Sequence, residues 1–149
     1  MINFSDIEAE FIKRVHTMVW CAVATVDANG RPRSRVLHSI WEGSTGFIGT
    51  NPNSYKAKHL AHNPYVSLAY IADIAKPVYV DARTEWVNDM SERQRIWDLF
   101  KSAPLPLGYD PEPIFKNLDG FGLLKLAPYR IQLDQFPAPS LIWRADHPV

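Results

Sequence analysis

A chain of 149 residues is long enough for one ordinary domain, in which roughly 70% of the unfolded surface can be buried on folding. Sixteen Lys and Arg balance sixteen Asp and Glu, so no net field draws the protein to nucleic acid or to an anionic membrane, and any anion site must be local. The single cysteine, Cys21, lies between Trp20 and Ala22, which excludes an intrachain disulfide or a CxxC metal knuckle and reads as a small buried hydrophobe.

The first residues, "MINFSDIEAEFIKR", carry acids and lack the basic start and apolar core of a signal peptide, and no stretch approaches about 18 consecutive apolar residues. The expectation is a soluble, cytoplasmic protein. "SDIEAEFIKRVHTM" predicts an amphipathic helix, with Ile7, Phe11 and Val15 recurring every four positions, Ile12 widening the stripe, and Ser5 with Glu8 forming a capping box. The following run, "MVWCAVATV", predicts a strand buried on both faces, and "DANG" a tight turn. In the return strand "RPRSRVLHSIW", Arg31, Arg33 and Arg35 share a face with Leu37 and Ser39, while Ser34, Val36, His38 and Ile40 share the other. A turn at "EGSTG" leads to "FIGT", completing an antiparallel meander.

"SYKAKHLAH" predicts a short helix that Asn63-Pro64 stops. "YVSLAYIA" and "KPVYVDARTEWV" read as strands, the second apolar on one face and mostly polar on the other. "SERQRIWDLFKSA" is a second long helix, with Ser91 and Gln94 as its capping box and Ile96, Trp97, Leu99 and Phe100 on its apolar side. The proline-dense segment 104–113 reads as an ordered loop or lid and a candidate wall where a substrate enters, "GFGLLKLAPYRIQLDQF" as two strands around Pro128, and "SLIWR" as a last strand. The fold class expected is mainly β (α+β): six to eight antiparallel strands closed as a barrel, with two or three peripheral helices, in one domain over 1–149.

The chemistry concentrates in "GFIGTNPNSYKAKHLAHNP". With Ser54 as N-cap, the free backbone N–H groups of the next turn and the positive end of the helix dipole favour an anion. Thr50 and Ser54 offer hydroxyls, Lys56 lies in the first turn, and Arg35 sits on a preceding strand where a guanidinium can take two phosphate oxygens together. The competing reading is a capped helix with solvated lysines and surface arginines; the coincidence of all these groups favours a phosphate cradle.

"ATVDANGRPRSRVL", "TNPNSYKAKHLAHNPYVSLAY" and "VYVDARTEWV" together resemble, in order and spacing, the pyridoxamine 5'-phosphate oxidase-like family of FMN-binding split β-barrels, over residues from about 18 to 134. The resemblance implies a homodimer with cofactor sites at the interface, with FMN or the related deazaflavin coenzyme as cofactor. It places Arg35, Thr50, Ser54 and Lys56 on the phosphate, with Arg33 beside them, Val36, Leu37 and His38 along the isoalloxazine ring, and Asn51 supporting the turn. The vitamin-converting oxidases usually have Arg where Tyr55 stands, a lysine closing the strand that here reads "RVLHSI", and a C-terminal pattern that "SLIWRADHPV" lacks. The expected activity is therefore a different flavin- or deazaflavin-dependent hydride transfer to or from a small organic substrate. Trp143 and Arg144 are further candidates, reaching the cofactor of a partner subunit.

Other chemistries find less support. His59 and His62 are helical neighbours, but no HExxH or third ligand at fixed spacing accompanies them, so no metal is expected. No GxSxG elbow and no GxGxxG is present. The alternative from another class is a non-catalytic protein that sequesters flavin or haem on the same fold.

Overall fold

The first helix is capped by Asn3, two residues before the expected Ser5. The computed structural model describes residues 1–147, so the last two positions of the expected domain lie outside the described residues. Helix α1 (Phe4–Met18) is capped by Asn3, whose backbone N–H donates to the Asp6 carboxylate at 2.8 Å. Asp6 sits in the first turn, where its charge also complements the helix dipole, and this accounts for the earlier start. Ile7, Phe11 and Val15 are buried as their spacing requires.

Strands β1 (Trp20–Val26), β2 (Pro32–Glu42) and β3 (Thr45–Thr50) form the meander. Asp27 organises the first turn by accepting from the N–H groups of Asn29 and Arg31, both at 2.9 Å, while Gly30 takes φ 77°. Helix α2 (Tyr55–His62) follows, then β4 (Tyr65–Tyr70), β5 (Val78–Trp86), α3 (Met90–Ser102), the short α4 (Glu112–Phe115), β6 (Gly122–Gln135) and β7 (Ala138–Arg144). The strands run in the order β3-β2-β1-β4-β5-β6-β7, all antiparallel, and β3 also pairs with β6. That last pairing closes six strands into a barrel and leaves β7 outside it, which removes raw edges from the ring.

Inside the barrel, Cys21 and Val23 of β1 meet Leu68 and Tyr70 of β4, Val78 and Val80 of β5, and Leu124, Leu126, Ile131 and Leu133 of β6, with α1 packed on the same cluster. Each such large side chain contributes about 1.5–3 kcal/mol by leaving water. Burial pushes the Cys21 thiol up to about 11, in keeping with a small core hydrophobe. A polar knot in this interior is satisfied: the Tyr70 hydroxyl accepts from Trp41 Nε1 at 2.8 Å and bonds to the Ser39 hydroxyl. A second cluster lies outside the barrel, where Ile96, Trp97 and Phe100 of α3 cover Ile40, Phe47, Phe121 and Leu123.

Four further expectations are corrected. Strand β1 is buried on one face only: Cys21, Val23 and Thr25 point inward, whereas Ala22 is exposed and Trp20 is 57% exposed, because α3 covers β2, β3 and β6 and not the outside of β1. Helix α3 is capped by Asp89, whose carboxylate accepts from Ser91 N at 3.0 Å, and Gln94 pairs with Asp98 instead of closing a box. The two strands expected around Pro128 are one strand of 14 residues, in which the register slips so that Tyr129 has no partner on β5. Proline has no N–H to offer the ladder, and a bulge absorbs it without ending the strand. Among the described residues there are four helices, α4 being a single turn that begins within the segment read as a loop and ends just beyond it.

Candidate functional site

The antiparallel register sets Arg35 of β2 opposite Val23 of β1. Its Nη1 donates to three oxygens, the Val23 carbonyl at 3.1 Å, the Arg33 carbonyl at 3.1 Å and the Thr25 hydroxyl at 2.7 Å. A guanidinium has five N–H donors in a planar fork, and among the described residues neither Nε nor Nη2 of Arg35 donates to any protein group. Arg35 also has no ion pair among the described residues. Burial and the nearby Arg33 both push its pKa down.

The second cation comes from α2. Ser54 is the N-cap, accepting from Ala57 N at 3.4 Å, and Lys56 Nζ donates to the same Ser54 hydroxyl at 3.1 Å. Burial and the Arg35 guanidinium push the Lys56 ammonium down from its usual value. Lys56 forms no ion pair among the described residues. The structure thus brings two half-buried cations together beside a helix N-terminus that adds partial positive charge.

The other residues singled out in the sequence fall around this pair in different ways. Thr50 is 4% exposed at the end of β3, and Asn51 holds the turn by accepting from Asn53 N at 2.9 Å. Arg33 is a surface residue whose Nε stands 3.9 Å from Asp27. Tyr55 is 79% exposed, with Lys58 Nζ 5.3 Å from its ring centre. Val36 and His38 face outward from β2, whereas the Leu37 side chain turns inward onto the barrel core, so its approach to the outer groove is along the strand. Trp143 and Arg144 lie on β7, outside the closed ring; Trp143 packs edge-on against Phe4 at 5.5 Å and pairs with Ile131.

His38 ties the proline-dense segment to the barrel. A carbonyl can only accept, so His38 Nε2 donates to the Leu107 carbonyl at 2.5 Å. The ring sits between Trp20, Phe100 and Tyr109, and burial lowers its pKa against the opposing pull of the Leu107 bond. The segment and α4 wall a cavity of about 330 Å³ bordered by Trp20, Val36, His38, Pro106, Tyr109 and Phe115. A second cavity, of about 590 Å³, lies along Thr50, Asn51, Asn53, Lys116 and Asp119, and the two share Gly49, Ile114 and Phe115. Gly49 is required there, since a Cβ would stand 2.4 Å from Phe121 Cε1 and 3.1 Å from the Tyr109 hydroxyl.

Sequence reasoning missed Thr25, His59, Tyr109 and Phe115. Period-two alternation through "CAVAT" puts Thr25 on the inward face with Cys21 and Val23, a signal that the apolar run obscured. His59, set beside His62 by helical spacing, places its Nδ1 2.8 Å from the Thr25 hydroxyl. Nothing in the local pattern marks Tyr109 or Phe115, which reach the groove through a loop.

The fold that carries these cations, the capped helix and the groove recurs in known proteins. The pyridoxamine 5'-phosphate oxidase profile matches residues 7–133. A pyridoxine/pyridoxamine 5'-phosphate oxidase of Burkholderia mallei is 36% identical over 85 residues, a match that spans 56% of this chain and only 38% of that protein. Among solved structures, a Clostridium acetobutylicum protein related to general stress protein 26 superposes with TM-score 0.75 at 16% identity, covering 97% of this chain and 98% of its own. HutZ, the heme storage protein of Vibrio cholerae, gives 0.62 at 22% identity, covering 86% and 94%, and an F420 reductase gives 0.60 at 15% identity, covering 80% and 93%. The likenesses at such low identity establish the barrel fold, within which both an oxidoreductase and a heme storage protein are found. With 7–133 of its 149 residues matched by one family, the chain belongs to the pyridoxamine 5'-phosphate oxidase family.

Proposed function

We propose that the protein binds FMN, or the related deazaflavin coenzyme, and uses it for hydride transfer to or from a small organic substrate. The observation that carries this reading is the pairing of Arg35 and Lys56: two half-buried cations that repel one another, have no carboxylate partner among the described residues and flank a helix N-terminus. Such a site carries unfavourable charge until an anion arrives. The uncommitted Nε–Nη2 edge of Arg35 matches two phosphate oxygens, and Lys56, Ser54, Thr50 and the first turn of α2 supply the remaining donors.

A flavin bound there supplies the redox chemistry, and the protein's part is to bind, orient and shield. The strand edge at Val36–His38 and the aromatic wall of Trp20, Tyr109 and Phe115 suit one face of a planar ring. A homodimer belongs to the same proposal: Trp20 and Val36 are 57% and 64% exposed beside the cradle, and a second copy seated there would exclude water from the ring and bring its Trp143 and Arg144 within reach. Oxidation of pyridoxamine 5'-phosphate itself is not proposed, because exposed Tyr55 replaces a phosphate-pairing arginine.

The test is titration of the purified protein with FMN, riboflavin, the deazaflavin coenzyme and haem, read by absorbance and calorimetry. FMN or deazaflavin binding tighter than millimolar, which corresponds to about 4 kcal/mol, supports the reading, and Arg35→Ala should weaken FMN while leaving riboflavin nearly unchanged. Haem binding without flavin binding overturns it in favour of storage on this fold, and equal loss of FMN and riboflavin in Arg35→Ala overturns the phosphate role of Arg35.

A further inference from the structure

We infer that Thr25 and His59 are a positioning pair that aims Arg35 and locks α2 against β1, so that the strand-borne and helix-borne halves of the phosphate site keep one geometry. The inference rests on the phosphate-cradle reading above. Thr25 is 1% exposed, and its hydroxyl is shared by Arg35 Nη1 at 2.7 Å and His59 Nδ1 at 2.8 Å. Arginine can only donate, so it takes a lone pair of Thr25. The hydroxyl's single proton is then free for His59 Nδ1, which accepts it in the tautomer that leaves that nitrogen unprotonated.

Two consequences follow from this arrangement. All three oxygens that hold Nη1 are uncharged, namely two backbone carbonyls and a hydroxyl. They orient the guanidinium without neutralising it, whereas an aspartate in the same place would cancel the charge that the phosphate needs. His59 also lies on the helix that carries Lys56 just beyond the Ser54 cap, so the Thr25–His59 bond fixes how that N-terminus sits relative to Arg35. Misplacing either half loses the bidentate geometry on which a charged contact depends.

The experiment compares FMN and riboflavin affinities and thermal stability for wild type, Thr25→Val, Thr25→Ser, His59→Leu, His59→Asn and Arg35→Ala, with the Thr25→Val/Arg35→Ala double variant. Thr25→Val and His59→Leu should each weaken FMN about tenfold and leave riboflavin within about twofold. Thr25→Ser keeps the hydroxyl and His59→Asn can place an acceptor near Nδ1, so both should retain FMN affinity; in the Arg35→Ala background Thr25→Val should have no further effect. The inference is overturned if Thr25→Val weakens both ligands alike, if it acts undiminished without Arg35, or if it leaves FMN unaffected while Arg35→Ala does not. If Arg35→Ala itself leaves the FMN-to-riboflavin ratio at the wild-type value, the cradle reading falls first, and the two failures are thereby told apart.

Discussion

Replacing Lys56 by alanine separates a residue kept for binding from one kept for folding. In the free protein the Lys56 ammonium is half-buried, repelled by Arg35 and placed at the positive end of α2, and its one hydrogen bond is to the Ser54 hydroxyl at 3.1 Å. Losing that bond costs about 0.5–1.5 kcal/mol, while relief from the helix dipole returns about 0.3–1 kcal/mol, and relief from desolvation and from Arg35 acts in the same direction. The terms nearly cancel, so Lys56→Ala should shift the melting temperature by no more than about 4 °C, on a scale of roughly 2–4 °C per kcal/mol for a chain of this size. The phosphate, in contrast, loses a charged hydrogen bond of about 1.5–3 kcal/mol, which is an affinity loss of about 10- to 150-fold for FMN and almost none for riboflavin. Differential scanning calorimetry and isothermal titration at low salt measure both. A melting temperature lowered by more than about 6 °C, or equal losses for the two ligands, would show that Lys56 is part of the scaffold and refute the reasoning.

Gly49→Ala drives a methyl into Phe121, which is fully buried and packed edge-on by Trp97 at 5.3 Å and Phe115 at 5.1 Å, so it has little room to move. Overpacking of about 1–3 kcal/mol and a melting temperature lowered by roughly 2–12 °C are expected, with weaker flavin binding because Tyr109 and Phe115 line the groove. His16 and His38 both have pKa values lowered from 6.5 by burial, and His16 Nε2 accepts from the Trp41 N–H at 3.0 Å. The unfolded chain then binds more protons than the native one, so stability is complete above about 6.5 and falls as the pH drops toward the native values; urea melts from pH 8 to 5 should show that slope, and a His16→Gln/His38→Gln variant should flatten it. Tyr55→Arg adds a cation beside Ser54 at an exposed position and should tighten FMN by about tenfold without affecting riboflavin; an unchanged FMN affinity would show that position 55 does not face the phosphate.

The legible parts of the molecule are those in which neighbours in sequence are neighbours in space. The stripe Ile7, Phe11, Val15 announced α1, and Asn63-Pro64 announced the end of α2. Caps were displaced by two residues at Asn3 and Asp89 because several polar side chains near a helix start compete for the same free N–H groups, and the winner depends on the path of the chain into the helix. Pro128 looked like a break because its missing N–H is a local fact, whereas the bulge that accommodates it belongs to the pairing with β5. Within the site, Ser54 and Lys56 were readable for the same reason as α2 itself. The proline-dense segment 104–113 was readable as a candidate wall, but which side chains line the groove was not, since Tyr109 in that segment and Phe115 just beyond it follow no periodicity, and His38 holds the segment through Leu107.

By itself the sequence determined the alternation of strands and helices, the absence of net charge, the meander that carries Arg35, and the capped helix that carries Lys56. Tertiary structure decided that β3 closes on β6, about 75 residues away, so that the strands become a barrel, and that β1 keeps one face uncovered. It also decided that Arg35 and Lys56 lie near enough to repel one another and that Thr25 stands between Arg35 and His59. Periodicity records which way a side chain points from its own element. Which charges meet depends on the register and packing of elements far apart in the chain, and that is set only when the whole sheet has closed.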